Sequence, residues 1–150
     1  MNAPLCAARR YSDHFHVEPS DHLSLTYDQR FLRRKVLTCE GGEQILVDLS
    51  QTMSLDHGGA LILEDGRFIE IQAAPETLLE VTGPDLTRIA WHIGNRHTPC
   101  QVEQDRLLIQ VDHVIRDMLD KLGAKTREVV EPFTPEGGAY GHGRTHGHTH

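Results

Sequence analysis

Cysteine is scarce and badly placed for pairing. Cys6, Cys39 and Cys100 are odd in number, far apart and never in a C-x-x-C pair. That excludes a disulfide framework or a thiolate zinc site, and it points to reduced thiols in the cytoplasm. Long apolar runs are missing too: no stretch approaches the roughly 18 apolar residues of a membrane span. The opening MNAPLCAARR lacks the apolar centre of a secretion signal. Positive charge is short, with 15 Lys and Arg against 22 Asp and Glu and a net charge of -7, which argues against a nucleic-acid partner. There is no G-x-x-x-x-G-K-[ST] to cradle a nucleotide, so any nucleotide work must belong to a partner. Nor is there an H-E-x-x-H or a clustered carboxylate–histidine set to build a small metallohydrolase, and no enzyme is expected.

What is present falls into four stretches. Residues 1–20 mix Pro4, Pro19, charges, His14 and His16 without periodicity, and are expected to be a mobile lead-in that contributes at most a short edge strand. His14-x-His16 could chelate if extended, because alternate residues share a face; two solvated histidines are the plainer reading. From residue 21 to 75 the pattern has period two. Leu23, Leu25 and Tyr27 alternate with Ser24 and Thr26, Ile45, Val47 and Leu49 repeat the alternation, and Glu64-Asp65-Gly66-Arg67 is a hairpin signal. A small, mostly antiparallel β domain of five or six strands is predicted. Arg30, Arg33, Arg34 and Lys35 are its basic cluster, read either as a solvated face or as a docking patch.

After Ala73-Ala74-Pro75 the period switches. Residues 76–136 carry a strand at Thr77 to Val81, a helix opened by Pro84-Asp85 and ended by a left-handed Gly94, and strands at Gln101 to Glu103 and Leu107 to Val111. Asp112 then caps a second helix that stops at Gly123, and Thr126 to Glu131 is a last strand. The order βαββαβ is that of a ferredoxin-like split βαβ unit, and the fold class is α+β. Pro132 to Tyr140 is expected to leave the fold, and residues 137–150 form a histidine-rich tail in which Gly141 to His150 has no apolar residue to bury.

Chemistry concentrates in the histidines. His142, His146, His148 and His150 stand on a glycine-rich string, and an H-x-H-x-H run can wrap imidazoles around one ion of nickel, copper, zinc or iron. His97 lies between a helix end and Pro99. His113 sits in the first turn of its helix, where the positive dipole end favours the neutral, ligating ring. Each could equally be an ordinary hydrogen-bonding residue, and His92, one turn before the helix end, reads better as one. Two ligands per chain do not close a site, but a two-fold dimer would bring His97 from each subunit to one axis.

Taken together, His92-Ile93-Gly94-Asn95-Arg96-His97, Asp112-His113-Val114, Pro135-Glu136-Gly137-Gly138-Ala139-Tyr140 and the histidine-rich end resemble the UreE family of urease accessory proteins. Leu25-Thr26-Tyr27-Asp28-Gln29-Arg30 with Arg33-Arg34 is similar to that family's opening, so the resemblance spans about residues 21–150. It implies a cytoplasmic homodimeric nickel metallochaperone with a peptide-binding-like β domain and a ferredoxin-like metal domain. His97 would pair across the dimer with His113 and the tail histidines nearby, and Ni2+ would pass to apo-urease through an accessory GTPase. Arg33, Arg34, Asn95, Arg96 and Tyr140 are candidate partner-binding residues on the same ground. Cu2+ or Zn2+ is expected to bind in vitro, since copper outbinds nickel at imidazole sites. The chain departs from the resemblance at Gln110 and Val111, where some members carry further histidines, in its shorter tail and in its longer opening. The competing reading is a peptide-binding assembly module whose tail stores metal incidentally.

Overall fold

The computed structural model describes residues 4–137, and the chain divides between Ala74 and Pro75 into two compact units. The first unit holds β1 (Cys6–Ser12), β2 (Asp21–Leu25), β3 (Phe31–Thr38), β4 (Gln44–Ser54), β5 (Ala60–Leu63) and β6 (Phe68–Ala73). They form one sheet in the order β2-β6-β5-β1-β4-β3. Strands β1 and β4 are parallel, as are β2 and β6, and the other pairs are antiparallel. Period-two alternation sends Leu23, Leu25, Ile45, Val47, Leu49, Leu61, Leu63, Ile69 and Ile71 to one buried face.

Two expectations about this unit are corrected. The lead-in is not a loose opening: Cys6–Ser12 is an interior strand between β5 and β4, with Ala7 and Ala8 buried. Alanine carries little hydrophobic signal, yet a small side chain suits a strand flanked on both sides. Nor does Arg30 belong to the basic cluster. It is buried, donating from Nε to the Leu55 carbonyl at 3.1 Å and from Nη1 to the Leu25 carbonyl at 3.0 Å, with its guanidinium over the Tyr27 ring. The Asp-Gly hairpin forms, but only Gly66 takes a positive φ, of 90°.

The second unit holds β7 (Pro75–Thr82), α1 (Leu86–Asn95), β8 (Gln101–Val102), β9 (Leu107–Gln110), α2 (His113–Lys121) and β10 (Lys125–Pro132). Its sheet runs β10-β7-β9-β8, antiparallel throughout, which is the ferredoxin-like order. Ile89 and Ile93 of α1 and Ile115 and Leu119 of α2 pack with Leu79, Val81, Leu107 and Ile109 of the sheet. Strand sense then decides where the chemistry sits. β9 ends at Gln110 opposite Leu78, and β10 ends at Pro132 opposite Pro75, both near the start of β7. The chain returns from α1 to that same end to begin β8. The end of α1, the start of α2 and the exit of β10 therefore share one end of the sheet.

Candidate metal centre

Asp85 opens α1, its carboxylate accepting from the Arg88 N–H at 3.3 Å. The helix closes in a Schellman turn: the His97 N–H donates to the Gly94 carbonyl at 2.9 Å, and the Thr98 N–H to the Ile93 carbonyl at 3.4 Å. That turn needs one left-handed residue just past the cap. The cap is Arg96, so the residue is His97, at φ 58°, the sole non-glycine residue with positive φ among those described. The expectation of a left-handed Gly94 is thus corrected. Gly94 lies within the helix, which ends where Pro99 forces the chain out.

Helix α2 is built from the same parts with a different residue at the turn. Asp112 accepts from the N–H groups of Val114 at 2.9 Å and Ile115 at 3.2 Å. At the far end the Gly123 N–H donates to Asp120 at 3.1 Å and the Ala124 N–H to Leu119 at 3.0 Å, with Gly123 at φ 83°. Two equivalent turns thus carry glycine in one helix and histidine in the other. A left-handed L-residue costs about 1–2 kcal/mol, and such positions concentrate at functional sites.

Around this turn the side chains are open. Asn95, Arg96 and His97 are exposed, as is His113, the first residue of α2. His92 is partly buried, its ring edge-on to the exposed Trp91 at 5.1 Å. Topology puts His97 and His113 at one end of the sheet, yet no three His, Cys, Asp or Glu side chains gather into a metal-sized group among the described residues. Cys100, three residues past His97, is no thiolate: burial pushes its thiol up to about 11, and the nearby Glu136 carboxylate adds to the rise. Imidazoles are the exposed nitrogen donors at this end of the sheet.

The segment after β10 does not leave the fold, contrary to expectation. Phe133 is fully buried. The Thr134 N–H donates to the Gln101 side-chain oxygen at 2.8 Å, and the Glu136 N–H to the Cys100 carbonyl at 2.9 Å. Two prolines and two glycines hid this strap in the sequence, and its lone aromatic was the signal against a loop. The strap binds the strand that directly follows the His97 turn. Tyr140, His142, His146, His148 and His150 lie beyond Gly137, outside the described residues.

Arg106 braces the sheet behind the strap. It grips Glu131 with both terminal nitrogens, at 2.7 and 2.6 Å, and reaches Glu80 at 2.9 Å and Glu103 at 3.1 Å, while Arg127 meets Glu80 at 2.6 Å. These guanidinium groups hold Glu131 and Glu80 below the usual carboxylate range. No spacing in the sequence revealed Gln101 or Arg106 as organising residues, because Thr134, Glu131 and Glu80 lie 25 or more positions from the residues they meet. In the first unit Arg33 and Arg34 are exposed on β3 and share Asp48, at 3.9 and 3.1 Å.

Comparison with known proteins agrees with this architecture. The model for the UreE urease accessory protein N-terminal domain matches residues 7–74, and that for its C-terminal domain matches residues 76–150. A urease accessory protein UreE of Ruegeria pomeroyi is 65% identical over 150 residues, covering 100% of both chains. One from Ruegeria sp. strain TM1040 is 69% identical over 147 residues, covering 97% of this chain and 84% of that one. One from Cereibacter sphaeroides is 61% identical over 126 residues, covering 84% and 69%. On both domains and over its whole length, the chain belongs to the UreE family of urease accessory proteins, which are accessory proteins and not enzymes.

Proposed function

We propose that this chain carries Ni2+ during urease maturation. It would hold the ion between the His97 rings of a homodimer and deliver it to apo-urease through an accessory GTPase. The observation that carries the reading is His97 itself: an exposed imidazole kept at a left-handed turn position where the equivalent turn of α2 has glycine. Backbone strain is maintained there for the sake of a side chain.

Three further features support it. One chain does not assemble a closed ligand set from its described residues, and two-fold symmetry supplies a second copy of any exposed ligand. The exposed His97 and His113 offer nitrogen donors, which suit borderline ions such as nickel, copper and zinc. The strap also starts the tail beside the His97 turn. His142 is six positions past Glu136, a reach of at most about 21 Å, so tail histidines and His113 would complete the coordination shell on this reading. Asn95 and Arg96, exposed and directly before His97 in the chain, would meet the receiving partner on this reading, together with Tyr140.

Calorimetric nickel titration with sedimentation tests this on the intact chain, on a chain stopped after Tyr140 and on His97→Ala. The truncated dimer is expected to keep one tight nickel, and His97→Ala to lose it while remaining folded. Loss of all binding on truncation, with no effect of His97→Ala, would overturn the reading.

A further inference from the structure

The stretch between β1 and β2 carries two histidines, His14 and His16, that the second unit's site leaves unused. Named contacts tie this stretch to the first unit. The Ser12 hydroxyl donates to the His14 carbonyl. Phe15 is half-buried and stacks on Phe68 of β6 with ring centroids 5.7 Å apart. The Ser20 N–H donates to the Phe68 carbonyl at 2.8 Å. Phe15 is thus held against β6, while its two neighbours, His14 and His16, are exposed.

Those neighbours do not diverge. The His14 and His16 rings meet edge-on with centroids 6.1 Å apart. His14 is also aimed: its Nδ1 lies 2.9 Å from Oδ1 of Asp13. A carboxylate only accepts, so in the neutral ring Nδ1 carries the proton and Nε2 presents the lone pair. This is the pairing that orients a metal-bound imidazole and raises its basicity. A metal about 2.1 Å from each nitrogen lies roughly 3.2 Å from each ring centroid, so two imidazoles on one ion have centroids roughly 4.5–6.4 Å apart. The observed 6.1 Å falls inside that span. Rotation of two exposed side chains is enough to converge them on one ion.

We propose that His14 and His16 form a further metal site, on the first unit, that takes a borderline divalent ion such as Cu2+, Ni2+ or Zn2+ through two imidazole nitrogens. Water fills the remaining positions, since no third His, Cys, Asp or Glu joins the pair in a metal-sized group among the described residues. Asp13 is a positioning residue that touches His14 and not the ion. The inference uses the first unit alone and stands apart from the nickel reading, which rests on His97.

The test is Zn2+ titration of the full chain, followed by amide-resolved NMR and by long-range 1H–15N spectra of the histidine rings. Zinc is diamagnetic, and residue-resolved signals separate this pair from His97, His113 and the tail in one experiment. Amides of residues 13–17 are expected to shift, with His14 coordinating through Nε2. His16→Ala should lower the affinity read at residues 13–17 at least about tenfold, while the signals of His97 and the tail respond as in the parent. Asp13→Ala should weaken binding about tenfold and turn His14 from one tautomer into a mixture, a change that a purely structural role for the carboxylate does not produce. Both residues are exposed, and an unmoved Phe68 amide checks that Phe15 keeps its packing in each variant. Amides 13–17 that stay in place after every other histidine is saturated, coordination of His14 through Nδ1, or shifts that survive His16→Ala would each overturn the proposal. An Asp13→Ala chain that binds zinc like the parent would overturn the part given to the carboxylate.

Discussion

Replacing His97 by glycine should make the second unit more stable while removing its proposed function. The left-handed φ of 58° costs a histidine about 1–2 kcal/mol, and glycine releases that strain. Glycine also gives the unfolded chain more freedom, worth roughly 0.5–1 kcal/mol against the folded state. The expected net gain is about 0.5–1 kcal/mol, or about 2–8 °C in Tm for a unit of this size. Gly123→Ala is the mirror experiment. Gly123 occupies the equivalent turn at φ 83°, and a Cβ there meets nothing within 4 Å, so its expected loss of about 0.5–1 kcal/mol is backbone strain without steric conflict. Both are measured by denaturant unfolding in chelator, followed through Trp91, the chain's single tryptophan, which sits in the second unit. Nickel calorimetry on His97→Gly should show the tight site gone. If His97→Gly instead destabilises by 1 kcal/mol or more, the ring's own contacts outweigh the strain and the case for a functionally retained side chain fails.

Three other outcomes follow from named contacts. Arg106 and Arg127 keep Glu80 and Glu131 ionised below their ordinary range. That stabilisation is complete above the unfolded pKa of about 4.3 and is lost as pH falls through the lower folded values. Arg106→Met should therefore be less stable than the parent at pH 7, and the gap should narrow progressively as pH falls below about 4; a gap that stayed constant or widened on acidification would refute it. Cys100, pushed up to about 11 from an ordinary 9.0, carries ~100-fold less thiolate than a free cysteine near neutral pH. Peptide mapping after limited iodoacetamide at pH 8 should find it alkylated correspondingly slowly in the folded chain and readily in urea. Phe133→Ala should destabilise the second unit by about 3–5 kcal/mol and speed hydrogen exchange at Thr134 and Glu136; unchanged exchange would mean that the strap is not anchored by its aromatic.

The β-rich first unit and the βαββαβ order of the second were legible because their periodicities are strong and local. Leu23 and Leu25 alternate with polar neighbours, and Ile89 and Ile93 fall on one helical face that the sheet covers. The misses have other causes, contacts distant in sequence or backbone geometry that no residue pattern encodes. Ala7 and Ala8 gave no amphipathic signal, since a strand between two others needs small residues more than greasy ones. Arg30 looked like one of four clustered cations, but its partners at Leu55 and Leu25 draw it inward. Gly94 looked like the helix stop because glycine usually is one. The stop is set by the hydrogen bonds from His97 and Thr98 and by Pro99, which moves the left-handed position three residues along. Only a backbone angle distinguishes His97 from the other exposed histidines described, and no composition or spacing carries that angle.

That angle bears on how a carrier can bind firmly and still release. The left-handed conformation of His97 is fixed by backbone contacts alone, two hydrogen bonds that close the helix and a proline after it. On the proposed reading, loading an ion reorders a side-chain rotamer and a tail, while the backbone that aims the ring is already set. Preorganisation of this kind limits the ordering cost of binding. What keeps the ion exchangeable on that reading is the poverty of the donor set: no three candidate ligands gather among one chain's described residues. Adding a donor should therefore convert the carrier into a trap. A thiolate or carboxylate placed on the exposed turn beside His97, as in Asn95→Asp, should tighten nickel and slow its release to a competing chelator. A variant that tightened binding without slowing release would show that the donor count does not govern the exchange.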